Sequence, residues 1–309
     1  MKILISGYGS IGKRHATNLV SLGHEVFIYD SNPLRYAGYP RNQIVESLES
    51  MPLNVDAFVV CTPPDSHLRY AILGLSRNAH VFIEKPIAAK LDDLDEFSRL
   101  VKQSNKVVMI GYCLRFHPGL QVTKSLISEI GKVLSIRAEF GQYLPNWRPQ
   151  QDYRESYTSK LGIILDGSHE IDYMRWLAGE VKSVFCVGGK LSSLDVKSED
   201  MVEIVLNFES GAIGNIHLDF VQRIYSRSCK IIGELGTIEW DFKSGVKLNG
   251  IPKYCVEKDM YLEEMRHFID CIGDKESSVE AADTDTGIRV LKIALAAKES
   301  MKTGKLVTV

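Results

Sequence analysis

Residues 165–172 read LDGSHEID and set Asp166, His169 and Asp172 at successive three-residue steps, where an apolar pattern continuing YMRWLAGE announces a helix. Three-residue steps leave such side chains on one side of a helix, about 60° apart. An imidazole titrates near neutrality, so His169 can accept and return a proton, and Asp166 one turn earlier can orient its ring. The same residues also suit a plain helix start, in which Asp166 and Ser168 cap free N–H groups. Asp172 reads as helix-start charge or as a supporting partner, not as a catalyst.

A second motif opens the chain. KILISGYGSIGKRHATNLVSLGHEVFIYD reads as a strand, the turn Gly7-x-Gly9-x-x-Gly12, a helix, and a second strand ending at Asp30. Gly7 permits the tight turn, Gly9 lets backbone approach a pyrophosphate, and Gly12 lets the helix lie close to the strand. N–H groups at the helix start, from Ser10 and Ile11, then face the phosphates. Asp30 stands where a carboxylate accepts from both ribose hydroxyls of an adenosine and repels a 2′-phosphate, which favours NAD over NADP. The nearby Arg35 complicates that preference.

These groups need a scaffold, and the next 80 residues supply the strand–helix alternation of a doubly wound parallel sheet. VDAFVVCTPPDSH, HVFIEKP and KVVMIGYCLRFHP are strands with their outgoing turns, separated by the helical patterns LRYAILGLSRN and LDDLDEFSRLVKQSN. Ligands of such sheets sit beyond the carboxyl ends of the strands. That rule selects Thr62 with Pro63 and the turn to His67, then Glu84 with Lys85, and Arg115 with His117. From residue 132 onward the runs KVLSIRAEFGQYL, VKSVFCVGGKL, MVEIVLNFESGAIGNIHLDF, SRSCKIIGELGTIEWDF and GVKLNGIPKYCV are apolar or alternating like strands, with a hairpin turn at ESG. Two helical patterns close the chain. In LPNWRPQQDYRESY, Trp147, Arg148, Tyr153, Arg154 and Tyr157 suit a sugar ring and an anionic group, although such a loop is also ordinary solvated surface.

Composition bounds the function. With 309 residues two domains are expected, and 45% hydrophobic with 25% charged residues is ordinary for a globular protein. A formal net charge of −2 with no basic stripe argues against nucleic acid as a partner. The six cysteines have no metal-ligand spacing and read as reduced, mostly buried thiols, so no metal is expected. No apolar run nears the roughly 20 residues of a membrane span, and the start passes straight from strand to glycine turn without a cleavage pattern, so a cytoplasmic protein is expected. His15, His24, His80, His217 and His267 read as structural.

GYGSIG, CTPPDSH, EKP at 84–86, RFHP at 115–118 and WLAG at 176–179 together resemble the Gfo/Idh/MocA oxidoreductases, over residues 1–179. The resemblance implies an α/β protein: a Rossmann NAD-binding domain over 1–118, then a substrate-binding and oligomerisation domain over 119–309 built on a large, mostly antiparallel sheet. It implies Lys85, Asp166 and His169 as catalytic residues and a homodimer or homotetramer. The more common family pattern has a glycine triplet before the Asp and four residues from Asp to His. Here only Gly162 precedes and the spacing is three, which puts Asp166 in question. The expected activity is NAD(H)-dependent oxidation or reduction at a hydroxyl or keto carbon of a sugar or sugar derivative, the proton passing through His169 and Lys85 polarising the oxygen. Arginines 148 and 154 make a nucleotide-linked or acidic sugar attractive. The alternatives are an NAD-using glycosidase or epimerase without net redox change, and a non-enzymatic regulator binding dinucleotide and sugar.

Overall fold

The computed structural model describes residues 1–48, 54–147, 153, 161–273 and 280–309. Its principal helices are α1 (Ser10–Ser21), α2 (His67–Ser76), α3 (Leu94–Ser104), α4 (Pro118–Leu126), α5 (Leu144–Trp147), α6 (Gly162–Asp166), α7 (Ser168–Ala178), α8 (Met260–Ile272) and α9 (Thr284–Thr303). The chain divides into two compact units: Met1–Phe116 with Lys258–Ile288, and His117–Glu257 with Arg289–Val309.

In the first unit the runs KILIS (β1, Lys2–Ser6), EVFIY (β2, Glu25–Tyr29), AFVV (β3, Ala57–Val60), HVFIE (β4, His80–Glu84) and VMIG (β5, Val108–Gly111) are apolar almost throughout. Strands of that kind must be covered on both faces, which is the condition of a parallel sheet. They pair in parallel in the order β2-β1-β3-β4-β5. The order reverses between β1 and β3, and the crevice beyond their carboxyl ends is the expected ligand position.

A single boundary at residue 118 does not describe this unit, because Lys258–Ile288 belongs to it as well. The reason is apolar burial. Met265 and Phe268 of α8 are fully buried in one core with Ile3, Ile5, Ala16, Leu19 and Phe82, and β5 gains a bridge from Ile110 to Ala282. A helical pattern states that a face will be buried, not against which part of the chain.

The second unit carries nine strands, β6 (Val133–Gly141), β7 (Val181–Gly189), β8 (Met201–Phe208), β9 (Ile213–Asp219), β10 (Ser226–Gly233), β11 (Thr237–Asp241), β12 (Gly245–Leu248), β13 (Ile251–Lys253) and β14 (Val307–Thr308). They form one sheet ordered β13-β12-β11-β10-β6-β9-β8-β7-β14, antiparallel except for β6 beside β9. Strict alternation decides its faces. In β8 (Met201–Phe208), Val202, Ile204, Leu206 and Phe208 are buried, while Glu203, Val205 and Asn207 are half-exposed. The ESG turn closes the β8–β9 hairpin, with Phe208 N–H donating to Ala212 O at 3.0 Å. Helix α7 packs on β6 and β9, and all its residues except Arg175 are buried.

Candidate active site

Beyond β1 the backbone makes the turn that the glycines require. Gly7 has φ +92°, and a Cβ on it would lie 2.5 Å from Cys61 O at the end of β3; one on Gly12 would fall on Gly7 O. Gly9 is different: a Cβ there would meet nothing nearer than the Arg35 guanidinium at 3.9 Å, so its outer side is open. Gly9 is the N-cap of α1, and no side chain caps the N–H groups that follow at Ser10 and Ile11. An open approach to uncapped helix N–H groups fits a pyrophosphate.

Asp30 is aimed at that approach by its neighbours. Its Oδ2 accepts from Tyr8 N–H at 2.7 Å and from Arg35 Nη1 at 3.0 Å, and its Oδ1 accepts from Asn32 N–H at 2.8 Å. Tyr36 clamps the backbone on both sides, its hydroxyl accepting from Asp30 N–H and donating to Asp30 O. Oδ1 has lone-pair capacity left for a ribose hydroxyl, and Oδ2 gains it once Arg35 is displaced. These residues fit the adenosine diphosphate half of a dinucleotide.

The β3 and β4 ends hold the other residues selected from sequence, and here the reading needs correction. His67 does not face a ligand: it is buried, with Nδ1 2.8 Å from Pro86 O and Nε2 2.7 Å from Thr62 O. A neutral ring donates to one of these carbonyls, and burial holds its pKa below the ordinary histidine value despite both. His67 therefore packs between the Thr62 turn and the Lys85–Pro86 turn, hydrogen-bonded to one of them. Pro63 is exposed and Thr62 half-buried, its Oγ1 accepting from Ser66. Glu84 also turns inward, with Oε1 2.6 Å from His15 Nε2, leaving Lys85 as the half-exposed residue of the pair. Arg115 is buried, with its guanidinium donating to Glu280 O at 2.9 Å, which makes it a structural residue of this unit.

In the second unit, LDGSHEID is not one helix. Asp166 ends α6, Gly167 N–H closes that helix onto Ile163 O at 2.7 Å, and α7 begins afresh at Ser168. His169 therefore stands in the first turn of its helix, while half-buried Asp166 belongs to the preceding one. Neither Asp166 nor Ser168 caps α7 through its side chain, so the capping alternative does not describe this turn. His169 is 8% exposed and Asp172 is buried.

Gly162 makes this arrangement possible. It has φ +70°, and a Cβ there would fall on the Glu199 carboxylate. That carboxylate pairs with Lys298 Nζ at 2.8 Å, and Lys298 donates to Leu161 O at 2.6 Å, so a buried ion pair anchors the start of α6. Behind His169, Glu170 is fully buried and holds Arg227 of β10 (Ser226–Gly233) in a two-pronged pair at 2.7 and 3.0 Å. Burial alone would weaken the arginine's charge, and Glu170 more than restores it. Composition gave no hint of either pair, because both join residues far apart in sequence.

His117 is the N-cap of α4, its Nδ1 accepting from Gly119 N–H at 3.1 Å between the rings of Trp240 and Phe242. Burial, then Arg227, pushes its pKa down to about 4, so it is a neutral cap and not a substrate-facing cation. Trp147 is 41% exposed at the end of α5, and Tyr153 accepts from Asp195 N–H at 3.1 Å. Arg148, Arg154 and Tyr157 lie outside the described residues. All six cysteines are free thiols, and no described helix is long and apolar enough to cross a membrane.

Residues 1–112 match the oxidoreductase family described as an NAD-binding Rossmann fold, and residues 121–239 match the GFO/IDH/MocA C-terminal domain. Among curated relatives, the myo-inositol 2-dehydrogenase of Thermotoga maritima is 28% identical, over 98% of this chain and 96% of its own. The scyllo-inositol 2-dehydrogenase (NAD(+)) of Bacillus subtilis is 25% identical, over 98% and 95%. Among solved structures, the WlbA dehydrogenase of Bordetella pertussis, in complex with NADH and UDP-GlcNAcA, superimposes with a TM-score of 0.85 over 100% of this chain and 98% of its own, at 23% identity.

Proposed function

The chain belongs to the GFO/IDH/MocA oxidoreductase family, in which the two curated relatives above are inositol 2-dehydrogenases, and from that premise we propose that its substrate is a sugar or sugar derivative oxidised at a hydroxyl-bearing carbon or reduced at a keto carbon. The observation that carries this reading is the cradle beyond β1: Gly9 open on one side, the uncapped start of α1 behind it, and Asp30 held beside it.

Bound NAD supplies the hydride acceptor or donor, and the protein must then handle a proton and a charge. His169 takes the hydroxyl proton in oxidation and returns it in reduction. Lys85 stabilises negative charge developing on the reacting oxygen. Asp166 binds a neighbouring hydroxyl; its place on a separate helix from His169 makes ring orientation the less fitting role. Thr62, Pro63 and Lys85 line the nicotinamide half, with His67 and Glu84 supporting them from within.

The test is the near-ultraviolet absorbance of NADH with a panel of inositols, hexose phosphates, uronates and UDP-linked N-acetyl sugars. One class should give net NADH, and Lys85→Ala or His169→Ala should cut turnover about 100- to 10,000-fold while NADH still binds. Turnover of a glycoside without net NADH would replace the dehydrogenase with a redox-neutral enzyme. Sugar binding with no turnover at all would replace it with a regulator.

A further inference from the structure

One group in the first unit lacks the partners that burial demands. Glu264 of α8 is 0% exposed, and neither carboxyl oxygen has a hydrogen-bond partner among the described residues. It faces His15 of α1 and Glu84 of β4, and the three side chains bring their ligand-type atoms within 4.8 Å of one another. Around them stand aromatic walls: His15 lies 5.3 Å from Phe82 and 6.3 Å from Tyr261, and Phe82 lies 5.7 Å from Phe268. Two ionised carboxylates cannot share such a site, since each costs several kcal/mol to desolvate and they repel one another.

A cation or a proton could resolve this. Donor atoms bound to one zinc-like ion at about 2.0–2.2 Å stand roughly 3 Å or more apart. His15 Nε2 and Glu84 Oε1 are instead 2.6 Å apart, the separation of a hydrogen bond, and a hard divalent ion would need more oxygen donors than this apolar pocket supplies. A proton needs only one acceptor.

We propose that Glu264 is carried in the folded protein as a neutral carboxylic acid facing Glu84, and that it is a positioning residue for the strand end bearing Lys85. Protonated, Glu264 becomes the donor the cluster lacks, and Glu84, with its ligand-type oxygen within 4.8 Å, is the acceptor assigned to it. Glu84 is then held by His15 from one side and Glu264 from the other, while its Oε2 accepts the Lys85 N–H at 3.2 Å. Burial first, and Glu84 second, push the Glu264 pKa well above the carboxylate range. The titratable groups facing it from the surrounding elements are His15, Glu84, the Cys61 thiol at the end of β3, and Tyr261 on its own helix. Burial, Glu84 and Glu264 all push Cys61 up, and Tyr261 is pushed up first by Cys113 and then by burial, so both stay neutral. Arg14 lies over the outer face of Tyr261, 4.3 Å from the ring centroid. The positioning role rests on the function proposed for Lys85; the proton does not.

Infrared spectroscopy of the full chain tests the proton directly. The wild-type protein at neutral pH should show a protonated-carboxyl C=O band that shifts on 13C-glutamate labelling and is missing from Glu264→Gln; absence of the band in labelled wild type overturns the proposal without recourse to a variant. Thermal unfolding gives a second reading. A folded-state pKa raised above the unfolded value of about 4.3 means that stability is full below that value and falls as pH rises toward the folded one. The Glu264→Gln protein should therefore gain Tm relative to wild type as pH increases from about 5 to 8, and a constant difference overturns the proposal. One equivalent of bound metal in the purified protein, removed by chelator with a loss of Tm, also overturns it. For positioning, Glu264→Gln keeps a donor and should leave the NADH Kd within about 2-fold, whereas Glu264→Leu should raise it about 10-fold. Equal affinity of the two variants overturns the positioning role, and failure of wild type to bind NADH would instead overturn the proposed function.

Discussion

Asp30 receives three donors before any ligand arrives, and one of them is a cation. Arg35 at 3.0 Å is half-exposed, so its pairing is screened and easily exchanged for a better anion. Each ribose hydroxyl donating to an ionised carboxylate is worth about 1.5–3 kcal/mol, and displacing Arg35 offsets part of that. Asp30→Ala should therefore raise the NADH Kd about 10- to 100-fold in a fluorescence titration, and should weaken NADPH less, because Arg35 then has a phosphate to pair with. Unchanged NADH affinity would remove Asp30 from the cofactor site. Residues of this kind are legible in sequence because their partners are local: Gly7, Gly9, Gly12 and Asp30 belong to one strand–turn–helix–strand unit. The strand-end rule selects His67, Glu84 and Arg115 as ligand contacts, because it names positions and not directions. Each turns inward to a partner set by tertiary approach, Pro86 O, His15 and Glu280 O respectively. His15 and Glu264 did leave a trace. His15 lies on the buried side of α1 with Ala16 and Leu19, and Glu264 falls among the buried positions Met265 and Phe268 of α8, where a charge is out of place.

At the scale of elements, strand pattern proved more informative than helix pattern. Alternation in β8 and the unbroken apolar run of β3 determine one-sided and two-sided burial, and from those the antiparallel and parallel sheets follow. The α6–α7 break was invisible because apolar residues on both sides of Gly167 continue a helical period, while the turn is set by the approach of Leu218 and Glu199. Gly162 is the element's weak point. Any side chain there must adopt a left-handed backbone and displace Glu199 from Lys298, which leaves a buried charge poorly paired. Gly162→Ala should cost about 3 kcal/mol or more and lower Tm by several degrees in a calorimetric scan. Glu199→Ala alone strands Lys298, but added to Gly162→Ala it also removes the collision. The double variant should then be more stable than the sum of the two losses, and strict additivity would show that the glycine and the carboxylate do not compete for one space.

For the molecule as a whole, a formal net charge of −2 conceals buried groups that titrate far from their ordinary values. The half-exposed face of the nine-stranded sheet carries Glu203, Asn215 and His217. On that face His217 has Nδ1 2.6 Å from Glu203 and Nε2 3.1 Å from Asp219, a geometry that both nitrogens satisfy only as imidazolium. The hydrogen bond to Asp219, then that to Glu203, raises its pKa to about 9. A raised histidine stabilises the folded state fully below its unfolded pKa of about 6.5, and that contribution disappears as pH climbs through 9. Glu264 acts in the same direction starting from lower pH, since its ionisation is resisted by folding from about pH 4.3 upward. The two together place maximum stability on the acid side of neutrality. Wild-type Tm should accordingly fall from about pH 6 to pH 9, and His217→Gln, which cannot lose a charge there, should make the fall above about pH 6.5 shallower while leaving the part that Glu264 contributes. A slope above pH 6.5 equal in wild type and His217→Gln would assign it to another group, because that substitution removes the imidazole that titrates there.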